Sequence, residues 1–231
     1  MIADLHSSYY GEKQIEIISE IKKLDYDLIF FAGDIVDDKI AVKRGFDTLR
    51  YVKEITEKPI YYVTGNHDAY IDDVFNIKNK IKNMGINVLD GNISHLDING
   101  NRIDILGYDD RSIGRKIYYK ELEDLKEKRK KLKKDSLKLL ISHRPEKHDE
   151  YLDLKVDYVF SGHAHGGQWK LKTNGKIGAY APGQGMFPKY IDGIYFREKY
   201  HHIITPGLAK DNTNIPRIFN PPCIMHIKFS N

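Results

Sequence analysis

The sequence predicts an α/β protein, with parallel strands first and antiparallel hairpins later. Three observations carry this. Over the first half, short apolar runs of strand length alternate with stretches of helical period, while the last quarter is strand-rich. Five polar clusters of Asp, Asn and His each sit just after an apolar run. In α/β sheets, ligand sites collect at the carboxyl ends of the strands, so parallel strands would gather these clusters at one edge.

The elements follow in order. Asp4-Leu5-His6 reads as the end of a strand with only Met1, Ile2 and Ala3 before it. Gln14 to Leu24 carries an apolar stripe at 15, 17, 18, 21 and 24, which predicts a helix. Asp27 to Ala32 is a buried strand leading into Gly33-Asp34, Phe46 to Ile55 a second helix, and Pro59 to Val63 a strand leading into Gly65-Asn66-His67-Asp68. Val74 to Met84 is a helix stopped by Gly85. Ile86 to Leu89 is a short strand, and Leu96 to Leu106 a hairpin turning at Asn99-Gly100. Lys120 to Lys134 mixes both charge signs around Leu122, Leu125 and Leu132, the pattern of a solvated helix with a narrow buried stripe. Leu137 to Ile141 and Asp157 to Phe160 are strands ending at His143 and at Ser161-Gly162-His163-Ala164-His165-Gly166-Gly167-Gln168. Trp169 to Tyr180 reads as a hairpin turning at Asn174-Gly175. Gly193 to Phe196, His202 to Thr205 and Cys223 to Phe229 complete the strands.

Composition bounds the function. The 231 residues suit a single domain, 1–231. A net charge of +4, with both signs interleaved, does not argue for nucleic acid. The single cysteine, Cys223, excludes an intramolecular disulfide and a cysteine-cluster zinc site. No apolar run approaches the 18 residues of a membrane helix, and no signal peptide precedes the first cluster. As written, the chain is expected to be cytoplasmic.

The clusters themselves point to metal. Asp4/His6, Asp34, Asn66/His67, His143 and His163/His165 offer carboxylates, imidazoles and one amide, with no thiolate. Such a set suits borderline divalent cations: manganese, iron or zinc. On an extended backbone His163 and His165 would point the same way into one small volume. There are too many donors for one ion, whereas two ions about 3.5–4 Å apart, bridged by a carboxylate, would use them all.

Asp-x-His, Gly-Asp-x-x-Asp, Gly-Asn-His-Asp, a lone His and Gly-His-x-His, in this order from Asp4 to His165, resemble the signature of the calcineurin-like metallophosphoesterases. The tail, with Pro182-Gly183-Gln184, Pro206-Gly207-Leu208 and Pro216-Arg217-Ile218-Phe219-Asn220-Pro221-Pro222, is similar to the YkuE/YaeI-type branch, with Cys223 where that branch commonly has Glu. The resemblance implies a four-layer α/β/β/α sandwich of two mixed sheets flanked by helices. It implies that Asp4, His6 and His165 hold one cation, that Asn66, His143 and His163 hold the other, and that Asp34 bridges them. His67 would face the substrate and protonate the leaving oxygen, while a hydroxide bridging the cations attacks phosphorus.

The function so implied is a dinuclear phosphoesterase acting on a phosphodiester or pyrophosphate. Some members of the wider branch act on lipid-linked pyrophosphates such as UDP-diacylglucosamine. Hydrolysis of nucleotide or cyclic-nucleotide phosphodiesters is the alternative enzyme reading, and a non-catalytic metal-binding scaffold the alternative of another class. The expected partner is a phosphate ester, lipid-linked in the first case, with no nucleic acid; the expected state is a monomer or small homo-oligomer. Because the first strand is so short, an apolar segment upstream of Met1 is also expected, and with it membrane association. Among neighbouring residues, Asp37 is expected to accept an orienting hydrogen bond and Asp38 to cap a helix. Asp68 either orients His67 or is a turn residue. Arg144 is evenly divided between a phosphate contact and none, and Tyr9 and Tyr10 between flanking the substrate and packing. Gln168 and Gln184 are expected in the site wall. His95, His148, His201, His202 and His226 are expected to be structural or solvated.

Overall fold

The computed structural model describes residues 1–39, 41–170, 177–210 and 216–229. The first half runs α1 (Ile15–Lys22), β1 (Ile29–Ala32), α2 (Val42–Glu54), β2 (Ile60–Val63), α3 (Asn66–Ala69), α4 (Val74–Asn83), β3 (Asn87–Val88), β4 (Asn92–Ile98) and β5 (Asn101–Gly107). The second half runs α5 (Arg115–Lys130), β6 (Leu137–Ile141), α6 (His148–Leu154), β7 (Tyr158–Ser161), β8 (Tyr180–Ala181), β9 (Gly185–Met186), β10 (Gly193–Arg197) and β11 (Tyr200–Ile204).

Strands β1-β2-β3 form a small parallel sheet, and β10-β11-β7-β6-β5-β4 a larger one with a parallel centre and antiparallel edges. Strand alternation sorts the side chains into three cores. Phe30, Ala32, Tyr61 and Val63 of the small sheet meet Ile105, Leu139, Ile141, Phe160 and Ile203 of the large one, with the Phe30 and Phe160 rings 5.0 Å apart. On the outer face of the small sheet, Ile29, Phe31, Ile60 and Tyr62 pack under Ile17, Ile21, Leu49, Val52, Ile77 and Ile81 of α1, α2 and α4. On the outer face of the large sheet, Leu106, Leu140 and Val159 pack under Leu122, Leu125, Tyr151 and Leu154 of α5 and α6. The result is the expected four-layer α/β/β/α sandwich. No described helix is long and apolar enough to cross a membrane.

Local chemistry explains the boundaries. Asn99 and Gly100 both adopt positive φ, 53° and 79°, as a type I′ turn between β4 and β5 requires. Asp73 caps α4 by accepting from the Asn76 N–H, and Gly85 follows its end at φ 79°. The first residues are paired on both sides. Ile2 bridges Phe31 in parallel, while Met1 and Met225 exchange N–H···O bonds of 2.8 and 3.1 Å. The backbone N–H and C=O groups of Met1 and Ile2 are therefore all bonded.

Three expectations change. The stretch Cys223 to Phe229 is not a strand: its described contacts to the sheet edge include the Met1–Met225 pair and Cys223 N–H to Gly207 O, with no continuous ladder. A helix, α6, occupies His148–Leu154, where none was expected. The Asn174-Gly175 turn lies outside the described residues, although Lys170 and Gly178 beside it are bridged antiparallel.

A buried ionic group braces the fold behind β2 and β5. Lys78 on α4 is paired with Asp109 and lies 3.3 Å from Asp90 and 3.9 Å from Glu121. Asp109 also accepts from the Thr64 hydroxyl at 2.9 Å. Burial, joined by the Asp109 charge, pushes the Glu121 carboxyl up to about 8. A carboxyl raised in the folded state contributes stability that is full below its unfolded value of 4.5 and is lost as pH rises through about 8. Glu121→Gln should therefore flatten the decline in unfolding free energy between these limits; urea titrations across that range check it.

Candidate metal centre

The candidate residues lie at the carboxyl ends of parallel neighbours: Asp4 and His6 after Ile2, Asp34 after β1, Asn66 and His67 after β2, His143 after β6, His163 and His165 after β7. The local backbone is unusual. Asp4, His6, Asp34, His163 and His165 have φ of 49°, 47°, 54°, 64° and 48°, in the left-handed region. Each such residue costs of order 1–3 kcal/mol and persists only where its surroundings over-determine it. Here the turns are stitched together: Asp4 N–H donates to Gly33 O, His6 N–H to Asp34 O, and His163 N–H to Asp4 Oδ1 at 2.9 Å. Two glycines admit this packing. A Cβ on Gly65 would lie 2.1 Å from Asp34 Oδ1, and one on Gly162 would lie 2.4 Å from Asp4 Oδ2.

The structure brings the candidates into two adjoining groups. Asp4, His6 and His165 form one, with His6 Nε2 3.3 Å from His165 Nε2 and His165 Nε2 3.8 Å from Asp4 Oδ1. Asp34, His143 and His163 form the other, with His143 Nε2 3.1 Å from Asp34 Oδ2 and 3.2 Å from His163 Nδ1. Asp34 Oδ2 is also 3.5 Å from His6 Nε2, so one carboxylate reaches both groups. The two histidines of the Gly-His-x-His block do not share a volume as an extended backbone would dictate. With both residues left-handed, His163 turns to one group and His165 to the other.

These residues fit divalent cations. Asp34 Oδ2 and Asn66 Oδ1 are buried with no hydrogen-bond partner, although unpartnered buried oxygens are costly. The donor set is nitrogen and oxygen only. Neighbours fix which ring nitrogen is offered. His143 Nδ1–H donates to Ala32 O at 2.8 Å, and His6 Nδ1 lies 3.0 Å from Asp37 Oδ2, leaving both Nε2 atoms facing inward.

The electrostatics point the same way. Burial holds His163 and His165 well below the usual imidazole range, in the neutral form that ligates. Burial would lower His143 too, but Asp34 outweighs it and pushes that ring up to about 10. Burial would raise the Asp34 carboxyl; the charge on His143 holds it well below its usual range instead. Asp4 is raised by burial. The neutral rings of His163 and His165 and the ionised Asp34 carboxylate offer lone pairs to a cation, which would displace the proton on His143.

Around the cluster, roles are distributed differently from expectation. His67 Nδ1 is 2.5 Å from Asp38 Oδ1 and its ring is 4.5 Å from that of His6. Asp38 thus holds His67 and is not a helix cap. Asp68 does not contact the His67 ring: its buried carboxylate accepts the N–H groups of Asp34, Val36 and Gly65 at 2.6, 2.9 and 2.7 Å. Arg144 is held by Asp110 at 2.6 and 3.2 Å and places Nη1 3.1 Å from His163 Nε2. Tyr10 is core, bonded to Leu208 O, and Tyr9 is exposed under Arg44. Gln184 grips the Tyr190 backbone, while Gln168 is buried beside the His165 turn. Asn220, quoted above only as part of the tail, donates to His165 O and Gln168 O at 2.6 and 3.1 Å. Of the other histidines, His202 is buried against Ser161, and half-buried His148 contacts Tyr200.

The family model for calcineurin-like phosphoesterases matches residues 1–167. The chain belongs to this family. Membership implies metal-dependent hydrolysis of a phosphoric ester. The metallophosphoesterase YkoQ of Bacillus subtilis is 24% identical over 97% of this chain and 81% of its own length, and YkuE of the same organism 26% identical over 94% and 73%. The relative F40B5.2 of Caenorhabditis elegans is 29% identical over 73% of the chain, which spans about a third (36%) of its length. Among solved structures, the phosphopantetheinyl hydrolase PptH of Mycobacterium tuberculosis superposes with a TM-score of 0.53 at 10% identity, covering 96% of this chain and 95% of that one. That likeness shows the shared fold.

Asp68→Ala is expected to strand three buried N–H groups at about 1–3 kcal/mol each. The urea midpoint and metal loading should fall together. A loss of turnover alone, with stability intact, would instead assign Asp68 to the chemistry.

Proposed function

We propose that this calcineurin-like unit, residues 1–231, hydrolyses a phosphodiester or pyrophosphate bond at a dinuclear centre of manganese, iron or zinc. Asp4, His6 and His165 would hold one cation, Asn66, His143 and His163 the other, and Asp34 would bridge. The observation that carries this reading is Asp34 Oδ2, buried and within 3.5 Å of both His6 Nε2 and His143 Nε2. When bound, such cations lower the pKa of a water nucleophile and neutralise phosphoryl charge.

The chain's own groups do the rest. Asp38 accepts the His67 Nδ1–H and would stabilise the imidazolium, whose Nε2–H proton would go to the departing oxygen and leave the neutral ring. An acid of this kind matters most for a poor leaving group such as an alkoxide. The preference for a diester or pyrophosphate rests on the resemblance to the branch. Arg144 is paired with Asp110, and Arg217 donates to Ala209 O and Pro206 O while its Nη1 is buried with no hydrogen-bond partner. A lipid-linked pyrophosphate such as UDP-diacylglucosamine is a substrate of this class, by analogy with the branch. The scaffold reading is disfavoured because every candidate ligand and His67 is present.

Two measurements test this. Manganese-loaded protein should turn over bis(p-nitrophenyl) phosphate or a sugar-nucleotide lipid faster than p-nitrophenyl phosphate; monoester preference would contradict the diester reading, and preference for cyclic nucleotides would move the substrate to the nucleotide class. His67→Gln should retain both cations and lose about 10²–10⁴ in turnover. Asp38→Asn should follow it in the same direction with a smaller loss, whereas loss of metal in either variant would put His67 among the ligands.

A further inference from the structure

Arg144 follows His143 in the chain, and its guanidinium ends beside His163. That guanidinium is gripped along one edge. Nε and Nη2 donate to the two oxygens of Asp110 at 2.6 and 3.2 Å. Asp110 is buried and fixed in turn: its N–H donates to the Thr64 hydroxyl at 3.1 Å, and its Oδ1 accepts the Ser112 N–H at 2.9 Å. The backbone is held as well, because Arg144 O accepts the hydroxyl of fully buried Tyr151. A forked pair of this kind sets the plane of the guanidinium. It leaves Nη1 free of Asp110, 3.1 Å from His163 Nε2.

His163 turns its other nitrogen to the cluster. Nδ1 lies 3.2 Å from His143 Nε2, while Nε2 faces Arg144. A neutral imidazole has one lone pair, on one nitrogen. When Nδ1 gives that pair to a cation, Nε2 carries the proton and no longer accepts from Arg144. Nη1 then has two N–H groups beside the ligand cluster. Glu146 Oε1, at 3.6 Å, is beyond hydrogen-bond reach. A guanidinium fixed beside cations is repelled by them, so the group that suits its open edge is an anion drawn to those same cations. Its planar donors fit phosphoryl oxygens.

We propose that Arg144 Nη1 donates to a non-bridging oxygen of the substrate's phosphoryl group, and that Asp110 is the positioning residue that aims it. Donors fixed before the reaction need no reorganisation as charge grows on those oxygens. This role depends on the reading above in one respect, that His163 ligates a cation through Nδ1. It does not depend on which ester is cleaved.

Arg144→Lys keeps a cation for Asp110 but has no second edge to present. Manganese-loaded Arg144→Lys should keep the wild-type unfolding midpoint and manganese content. It should bind inorganic phosphate about tenfold or more weakly in calorimetry, the cost of one charged hydrogen bond. Its turnover should fall by about 10²–10³. In Arg144→Ala, added guanidinium ion should restore part of the turnover, which it would not do for a residue that only supports the fold. Loss of manganese along with turnover in Arg144→Lys overturns the proposal and makes Arg144 a support for His163. Failure of guanidinium to rescue a folded Arg144→Ala protein also overturns it. The two readings fail separately. Wild-type protein that takes up no second manganese overturns both. Wild-type protein that takes up two and hydrolyses the ester, with phosphate affinity unchanged in Arg144→Lys, overturns the role of Arg144 alone.

Discussion

The position of the Asp34 carboxylate constrains the rest of the site. Its backbone N–H donates to Asp68, its Oδ1 accepts the His67 N–H at 2.8 Å, and its Oδ2 faces His6 and His143 with no hydrogen bond of its own. An ionised carboxylate buried in this way is tolerable only beside positive charge. The His143 ring, pushed up to about 10 by this carboxylate, lies beside it at 3.1 Å. The left-handed turns, the glycines that let backbone approach carboxylate, and the packing of β1 between Ile2 and β2 all serve to hold that one group where the two side-chain clusters meet.

Rigidity then comes from groups that bind no cation. Ala32 O and Asp37 orient two imidazoles, Asp38 orients a third, and Asn220 anchors the turn that carries His165. These contacts tie residues 32–38 and Asn220 to His6, His67, His143 and His165 on four other segments, so the site is complete only when both sheets are assembled. The ionic group of Lys78, Asp109 and Glu121 extends the same bracing outward. Thr64 links Asp109 to the Asp110 backbone, and Asp110 holds Arg144 against His163.

Much of this was legible in the sequence. Strand and helix periods marked most elements because each buries one face, and Asn99-Gly100 marked its turn through φ alone. The five polar blocks identified the cluster because chemistry fixes their residue types. What stayed hidden depends on three-dimensional neighbours. Asp37, Asp38 and Asp68 are three carboxylates near one histidine, and spacing alone does not say which one faces it. Helix α6 has seven residues and buries only Tyr151 and Leu154, too little to show a period. Cys223 to Phe229 has the apolar content of a strand, yet no continuous ladder forms along it. Arg144 and Asp110 are 34 residues apart, and nothing local links them.

The most direct test of Asp34 as the bridge is low-temperature electron paramagnetic resonance during manganese titration. With Asp34 between two cations, an exchange-coupled signal should grow in as the second equivalent binds, and Asp34→Asn should abolish both that signal and turnover. A wild-type protein that saturates at one uncoupled manganese, or an Asp34→Asn variant that keeps the coupled signal and near-normal turnover, would contradict it.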